Sequence, residues 1–394
     1  SDFQPDLGQP SSGLLVKKWT SVIRMQKRVS ELEHQISQVQ EEMRLAGTSG
    51  GVSSKKQAAD WLPTSSSCKA PLTGHRDGVN AVAFHPKYTV LASASDDCTV
   101  IIWDWESGER EMTLKAHTKR VSDAQYNSAG TMLVTCSYDL FIKLWNVEDG
   151  YKNVATLRGH EHSISSARWI PGDDKIVSSS RDHSVRVWDV GTTHCIKVIR
   201  AHDDWIRGAV PSSDGRFFLT CSADHTAKIT DAATGELKAE FRGHDNVVEA
   251  AQFAPPNAVA AICELAGIKP NATTTGPVVF AATASRDKTV KIWDAQRGAL
   301  LYTLKGHDDW VRSIVFHPSG QYLLTASDDH RFKVWDLGTG RCVRTVQAHE
   351  QFVAGMSWGR MQAAGKGVGE EGQVVNVLAT CSSDKTVKIW VPAR

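Results

Sequence analysis

Three residue types that could catalyse hydrolysis recur together along the chain. In each set a Ser or Thr stands four residues before an Asp, and a His follows a Gly or Ala further upstream. A hydroxyl, an imidazole and a carboxylate together form the nucleophilic triad of serine hydrolases. An active site needs one triad, whereas this set occurs seven times, so we predict a structural role and no enzymatic activity. The sets are His75, Ser93 and Asp97; His117, Thr135 and Asp139; His160, Ser178 and Asp182; His202, Thr220 and Asp224; His244, Thr283 and Asp287; His307, Thr325 and Asp329; and His349, Thr380 and Asp384.

The sets belong to a repeat with a period of about 42 residues. Six residues after each Asp stands a Trp, except in repeat four, which has Thr230 there. The Trp positions are Trp103, Trp145, Trp188, Trp293, Trp335 and Trp390. Short β-branched runs alternate with turns that contain Gly and Pro. This pattern resembles the WD-repeat β-propeller, so we predict an all-β, seven-bladed propeller over residues 67–394. The resemblance implies a hydrogen-bonded chain from the buried Trp N–H through the hydroxyl and the His to the Asp.

The end of the chain predicts how the ring closes. Only four residues follow Trp390, so repeat seven has no room for an outer strand. Residues 68–72, which precede the first repeat His, are expected to supply that strand. Pro71 is compatible with this position, because an edge strand does not need its missing N–H.

Two inserts interrupt the repeat register. Residues 254–277, in repeat five, are expected to contain a short helix over residues 259–266. Residues 359–373, in repeat seven, are rich in Gly and charge and predict a mobile loop.

The segment over residues 17–46 has a different period, of seven residues. Apolar side chains fill the a and d positions, β-branched at most a positions, which favours a parallel two-stranded coiled coil and a homodimer. The seam residues are Val22, Met25, Val29, Leu32, Ile36, Val39 and Met43. The alternative is an amphipathic helix packed on the propeller. Residues 1–16 are predicted to be disordered and residues 47–66 to form a flexible linker. Residues 60–63 of that linker are an apolar island expected to dock on the propeller rim.

Composition excludes several classes of function. Forty-five Lys and Arg against 44 Asp and Glu leave a net charge of +1, which disfavours a nucleic-acid partner. No apolar run reaches the roughly 18 residues of a membrane span, so no membrane insertion is expected. The eight Cys are scattered singly, as in a cytoplasmic protein with free thiols. No metal cluster or phosphate loop stands outside the repeats, so no metal and no cofactor are predicted.

The Trp and Arg that the repeat does not explain predict a binding surface. Trp205 and Trp310 lie in the loops that enter the first strand of repeats four and six, and Arg207 and Arg312 follow two residues later. Arg181 and Arg286 occupy the turn between the second and third strands of repeats three and five, and His330 adjoins this group. Both kinds of loop open on one face of a propeller. Because Trp and Arg dominate protein-binding hot spots, we predict a rim for an acidic or phosphorylated protein partner. The alternative is a set of solvated rim residues.

Several stretches outside the repeat pattern resemble one family. Residues 13–22, 60–63 and 103–106 and the repeat-five insert are similar to the lissencephaly/nuclear-distribution protein F family, and the resemblance covers nearly all of residues 13–394. It implies a dimeric regulator of cytoplasmic dynein that serves nuclear migration, spindle positioning and microtubule-based transport. It also implies a cytoplasmic location, at microtubules and spindle poles. The partners implied are the dynein motor domain, bound through its ATPase ring, and a NudE-type coiled-coil adaptor.

The family's ring-binding residues match Arg181, Arg207, Arg286 and Trp310, and a basic residue often stands at the position of His330. The LisH motif with which the family begins is not recognisable in residues 1–12, so we expect that motif to be truncated or lacking. Another WD-repeat scaffold, such as a transcriptional corepressor, is the alternative function.

Overall fold

Repeats one to six each fold into a four-stranded antiparallel sheet whose strands pair in chain order, and repeat seven supplies three strands of a seventh sheet. The computed structural model describes residues 61–269, 278–362 and 374–392, and within them 28 strands form seven such sheets. The predicted segments 1–16 and 17–46 and most of the predicted linker lie outside the described residues, as do parts of both inserts. The all-β propeller predicted from the repeats is therefore confirmed.

The four strands of each blade are named a to d from the axis outward. Strands a are β2 (Val79–Phe84), β6 (Val121–Tyr126), β10 (Ile164–Trp169), β14 (Ile206–Pro211), β18 (Val248–Phe253), β22 (Val311–Phe316) and β26 (Val353–Gln362). Strands b are β3 (Val90–Ser95), β7 (Met132–Ser137), β11 (Lys175–Ser180), β15 (Phe217–Ser222), β19 (Phe280–Ser285), β23 (Tyr322–Ser327) and β27 (Val374–Ser382). Strands c are β4 (Val100–Asp104), β8 (Phe141–Asn146), β12 (Val185–Asp189), β16 (Thr226–Asp231), β20 (Thr289–Asp294), β24 (Arg331–Asp336) and β28 (Thr386–Trp390). Strands d are β5 (Arg110–Leu114), β9 (Lys152–Arg158), β13 (Cys195–Ile199), β17 (Leu237–Arg242), β21 (Leu300–Lys305), β25 (Cys342–Gln347) and β1 (Leu72–Thr73).

The hydrophobic core lies between neighbouring blades. Each strand a contacts the strands a of the blades on both sides, so the seven form a closed inner ring. Apolar side chains of one sheet pack against the next: Val134 and Leu144 of blade two, for example, share a cluster with Ile176 and Trp188 of blade three. The b strands are buried almost throughout, as expected for strands covered on both faces.

The ring closes as predicted, with a strand from before the first repeat completing the seventh blade. Strand β1 pairs antiparallel with β28, with Leu72 opposite Val387, and Cys68 forms a further bridge with Trp390. Leu72 is buried in the cluster that joins blades seven and one. The N-terminal segment therefore supplies the outer strand of the last blade.

Two other features predicted from the sequence take definite positions. The helix in the repeat-five insert, α1 (Val259–Ala266), is confirmed and ends at Gly267 in the left-handed conformation (φ 65°). The apolar island docks by its described residues: the Trp61 ring packs edge-on against Trp358, and Arg344 Nη1 donates a 2.7 Å hydrogen bond to the Leu62 carbonyl. This contact lies on the face where strands a lead into strands b, opposite to the face of the predicted rim.

Candidate functional site

The seven hydroxyl–His–Asp sets form structural hydrogen-bonded chains. In blade one, Trp103 Nε1 donates to Ser93 Oγ at 2.8 Å, and that hydroxyl bonds His75 Nε2 at 2.7 Å. His75 Nδ1 lies 2.9 Å from Asp97 Oδ2, and the same carboxylate oxygen accepts the Arg76 backbone N–H at 2.9 Å. Blade four keeps the His202, Thr220 and Asp224 members although Thr230 replaces its Trp. The seven hydroxyl-bearing residues are 0% exposed, so a substrate cannot reach them.

A β-bulge in each blade aims one side chain at the axis of the ring. In all seven blades the pairing of strands a and b shifts register at the second residue of strand a. The bulged residues are Asn80, Ser122, Ser165, Arg207, Glu249, Arg312 and Ala354. An extra residue in one strand of a pair bends that strand and re-aims its side chain. The seven positions therefore form an inner ring at the end of the channel where strands d lead into strands a, called here the d–a face.

The predicted Arg and Trp residues pair across blade boundaries on the d–a face. Arg181 of blade three lies over the Trp205 ring of blade four, with 4.4 Å from Cζ to the ring centroid. Arg286 of blade five lies over Trp310 of blade six at 4.2 Å. Each Trp also contacts the bulged Arg of its own blade: Arg207 at 5.9 Å and Arg312 at 5.0 Å. The two clusters keep the indole rings in place while leaving Trp205 38% exposed.

One carboxylate joins the two clusters. Glu249, on the bulge of blade five, forms an ion pair with Arg286, lies 3.7 Å from Arg312 Nη1 and lies 3.9 Å from Arg207 Nε. Arg312 also binds Asp328 in a fork, at 2.8 to 3.0 Å. Burial lowers the pKa of the Arg207 guanidinium; Glu249 opposes that effect, and the charges of Arg286 and Arg181 add to it. The site is thus crowded with positive charge.

The structure brings six of the seven predicted rim residues into these two clusters. His330 lies in the turn between strands b and c of blade six, where its φ is 70°, and its ring packs against Phe352 of blade seven at 5.9 Å. Sequence reasoning missed Tyr138, which accepts a 2.7 Å hydrogen bond from Arg181 Nη2 and carries Arg120 on its ring at 3.7 Å. Tyr138 occupies the same repeat position as Arg181, so its register could have identified it. The role of Glu249 was missed as well.

The bulged residues and the arginines enclose a cavity of about 350 Å³ on the ring axis. Six of its ten lining residues are bulged residues; the others are Arg120, Tyr138, Arg181 and Arg286. The lining is polar, with five guanidinium groups and one carboxylate. No cluster of three or more metal-ligating side chains occurs in residues 61–269, 278–362 and 374–392. In that same part of the chain, every helix is too short or too polar to cross a membrane.

A ring of seven such blades with a charged axial face defines a WD-repeat propeller, a class of protein-binding scaffold. The family model "WD domain, G-beta repeat" matches residues 66–104, 108–146, 151–189, 193–231, 235–294, 298–336 and 340–391. Beyond that class, the chain belongs to the nuclear distribution protein family of PAC1 and nudF, as comparison with individual relatives shows.

Three relatives illustrate the similarity. Nuclear distribution protein PAC1 of Tuber melanosporum is 54% identical over 316 residues, which cover 79% of this chain and 70% of that protein. PAC1 of Ajellomyces capsulatus is 44% identical over 328 residues (82% and 72%), and nudF of Aspergillus niger is 40% identical over 327 residues (82% and 73%). The resemblance predicted from the sequence is confirmed, and with it the interpretation as a dynein-pathway regulator in nuclear migration over the corepressor alternative.

Proposed function

We propose that this chain regulates cytoplasmic dynein without catalysis, by binding the ATPase ring of the motor through its d–a face. The surface consists of the Arg181–Trp205–Arg207 cluster and the Arg286–Trp310–Arg312 cluster, with His330 at its edge. The observation that carries the proposal is the stacking of arginines on indole rings across two blade boundaries. Such an arrangement presents rigid aromatic surface beside fixed positive charge, which suits an acidic protein surface.

Membership of the nuclear distribution family supports the remaining parts of the proposal. We infer a role in nuclear migration, spindle positioning and microtubule-based transport, at microtubules and spindle poles in the cytoplasm. A NudE-type coiled-coil adaptor is the second partner, and a second copy of this chain is the third. The burial of all seven hydroxyls of the repeat sets supports a role without catalysis.

Substitution of the rim is expected to weaken motor binding strongly. Arg207→Ala and Trp310→Ala each remove a central side chain of the surface, so affinity for the dynein motor domain should fall about thirtyfold, or about 2 kcal/mol. Binding should also weaken as salt rises, because exposed charges are screened over about 8 to 10 Å. Binding is measured by biolayer interferometry on variants whose circular dichroism matches wild type.

Two control variants make this test specific. Arg120→Ala changes an exposed arginine on the same face but outside the two clusters. Arg297→Ala changes a side chain that is 79% exposed in the turn between strands c and d of blade five, on the opposite face. Both should bind the motor like wild type. If Arg120→Ala weakens binding as much as Arg207→Ala, or if neither rim variant has an effect, the proposed surface is wrong.

Residues 17–46 are proposed to hold the dimer. The full chain should therefore be a dimer and a chain starting at residue 61 a monomer, as measured by light scattering. Val29→Glu or Ile36→Glu should produce a monomer too, because a charge at an a position is buried in the seam. Gln40→Glu, at a position outside the a and d set, is the matched control and should remain dimeric. A dimeric fragment 61–394 would contradict the proposal.

A further inference from the structure

We propose that the axial cavity on the d–a face binds a small polyphosphorylated anion, of the inositol polyphosphate or the linear polyphosphate class. Five arginines, one from each of blades two to six, line a space of about 350 Å³, which is the size of a small-molecule site. This binding step does not depend on the proposed motor contact, although the two sites share several arginines. The anion would sit deeper, on the axis, whereas the motor contact uses the exposed indole rings.

The charge balance of the cavity favours an anionic ligand with several phosphates. Five guanidinium groups face the carboxylate of Glu249, and Asp328 binds Arg312 from outside the lining, which leaves three uncompensated positive charges. Glu249 lies within ion-pair distance of Arg207, Arg286 and Arg312, so it cannot neutralise all three. Among the described residues, neither Arg120 nor Arg181 has a carboxylate partner. A single added carboxylate would compensate only a third of the excess, whereas a polyphosphate matches it.

Unused hydrogen-bond donors point to the same ligand. Arg181 Nε, Arg207 Nε and Ser165 Oγ are buried and have no hydrogen-bond partner among the described residues. Glu249 Oε2 lies 3.9 Å from Arg207 Nε, which is too long for a hydrogen bond. Buried donors without partners are rare in proteins, and guanidinium groups bind phosphate oxygens through paired N–H groups. The lowered pKa of Arg207 agrees with this, because an anion would relieve the repulsion from Arg181 and Arg286.

The shape of the site selects a compact ligand rather than a protein segment. The bulged side chains of six of the seven blades line the cavity around the axis, so its walls are formed by strands a. A ring or short chain of phosphates can contact several blades at once, which a single acidic side chain on a partner cannot do. The arginines lie on strands or stack on aromatic rings, so their side chains lose little conformational entropy when the ligand binds.

Isothermal titration calorimetry of the full chain tests the proposal, with inositol hexakisphosphate and sodium tripolyphosphate as separate probes. We expect one anion per chain, a melting temperature that rises with ligand and an affinity that falls with salt. Arg207→Ala and Arg120→Ala should each weaken binding about tenfold, because each loses a charge-assisted contact. Tighter binding of the inositol probe would assign the source to inositol polyphosphates, and tighter binding of tripolyphosphate would assign it to linear polyphosphates.

Two variants separate this site from the motor contact. Trp310 does not line the cavity and carries no charge, so Trp310→Ala should lose motor binding and weaken anion binding much less than Arg120→Ala does. Arg120→Ala should lose anion binding and keep motor binding. Arg297→Ala should bind the anion like wild type. The proposal is overturned if neither probe binds, if sulfate at equal ionic strength competes equally well, or if both Arg120→Ala and Arg207→Ala bind like wild type. Because Arg120 is exposed, its variant is expected to fold even if Arg207→Ala does not.

Discussion

A chain that starts at residue 74 is expected to lose the cooperative fold of the propeller. It lacks β1 and the preceding residues, so β28 becomes an exposed edge whose backbone groups have no partner. Two further hydrogen bonds are lost, from Lys69 N to the Ile389 carbonyl at 2.8 Å and from Val391 N to the Ser67 carbonyl at 2.9 Å. Thermal denaturation followed by circular dichroism should show a melting temperature lower by more than about 10 °C, or no cooperative transition.

A point substitution separates loss of packing from loss of the strand. Leu72 is 4% exposed in the cluster of blades seven and one, so Leu72→Ala should cost about 2 to 5 kcal/mol. Thr73→Ala, on the exposed side of the same strand, is the matched control and should cost much less. A chain starting at residue 61 keeps every contact of the strand and should melt like the full-length propeller. Wild-type stability of the chain starting at residue 74 would show that ring closure does not depend on β1.

The spacing of the repeats predicted the number of blades, the side chains that meet in each blade and the strand that closes the ring. The position of each Trp relative to its Asp identifies which side chains meet in every blade, because the same strands pair seven times. The closing strand followed from the four residues after Trp390, and α1 from a run of helix-forming residues in an insert. These features depend on local periods and on chain length, which the sequence states directly.

The parts that were missed depend on backbone geometry. A β-bulge changes the direction of a side chain without changing the residue types around it, so the convergence of Glu249 with three arginines was not visible in the repeat pattern. His330 lies in the same kind of turn as Arg181 and Arg286, yet its ring packs against Phe352 in the next blade. The position of the docked Trp61 depends on which end of strand a it reaches, and the sequence contains no signal for that choice.

Acidification is expected to destabilise the propeller steeply, through the seven repeat Asp residues. Burial alone would raise the pKa of Asp182, but hydrogen bonds from His160, Ser184 and the Glu161 backbone outweigh it and hold that pKa well below its usual value. The same balance lowers the pKa of the equivalent residues Asp97, Asp139, Asp224, Asp287, Asp329 and Asp384. Burial also lowers the pKa of His75 and His160.

The sign of the effect follows from these directions. Each Asp binds a proton more readily in the unfolded chain, so its contribution is complete above the unfolded pKa of about 4 and is lost as the pH falls towards the folded value. At pH 3 the loss, relative to pH 7, is about 1 kcal/mol for each of the four carboxylates whose pKa is lowered most: Asp182, Asp224, Asp287 and Asp384. His75 and His160 act in the same direction below about pH 6.5, because they too bind protons more readily when unfolded. The melting temperature should therefore fall slightly from pH 7 to pH 5 and steeply from pH 4 to pH 3.

Asp182→Asn tests whether the repeat carboxylates cause this loss. The amide cannot provide the charge that His160, Ser184 and the Glu161 backbone N–H bind, so the variant should be less stable by about 1 to 3 kcal/mol at pH 7. It also lacks one titrating group. The difference in free energy of unfolding between wild type and the variant should therefore shrink by about 1 kcal/mol between pH 7 and pH 3. Asp149→Asn, whose side chain is 63% exposed, should follow wild type at every pH. Urea denaturation at each pH measures the free energy of unfolding of both chains. A difference that stays constant down to pH 3 would mean that Asp182 does not stabilise the blade through its charge.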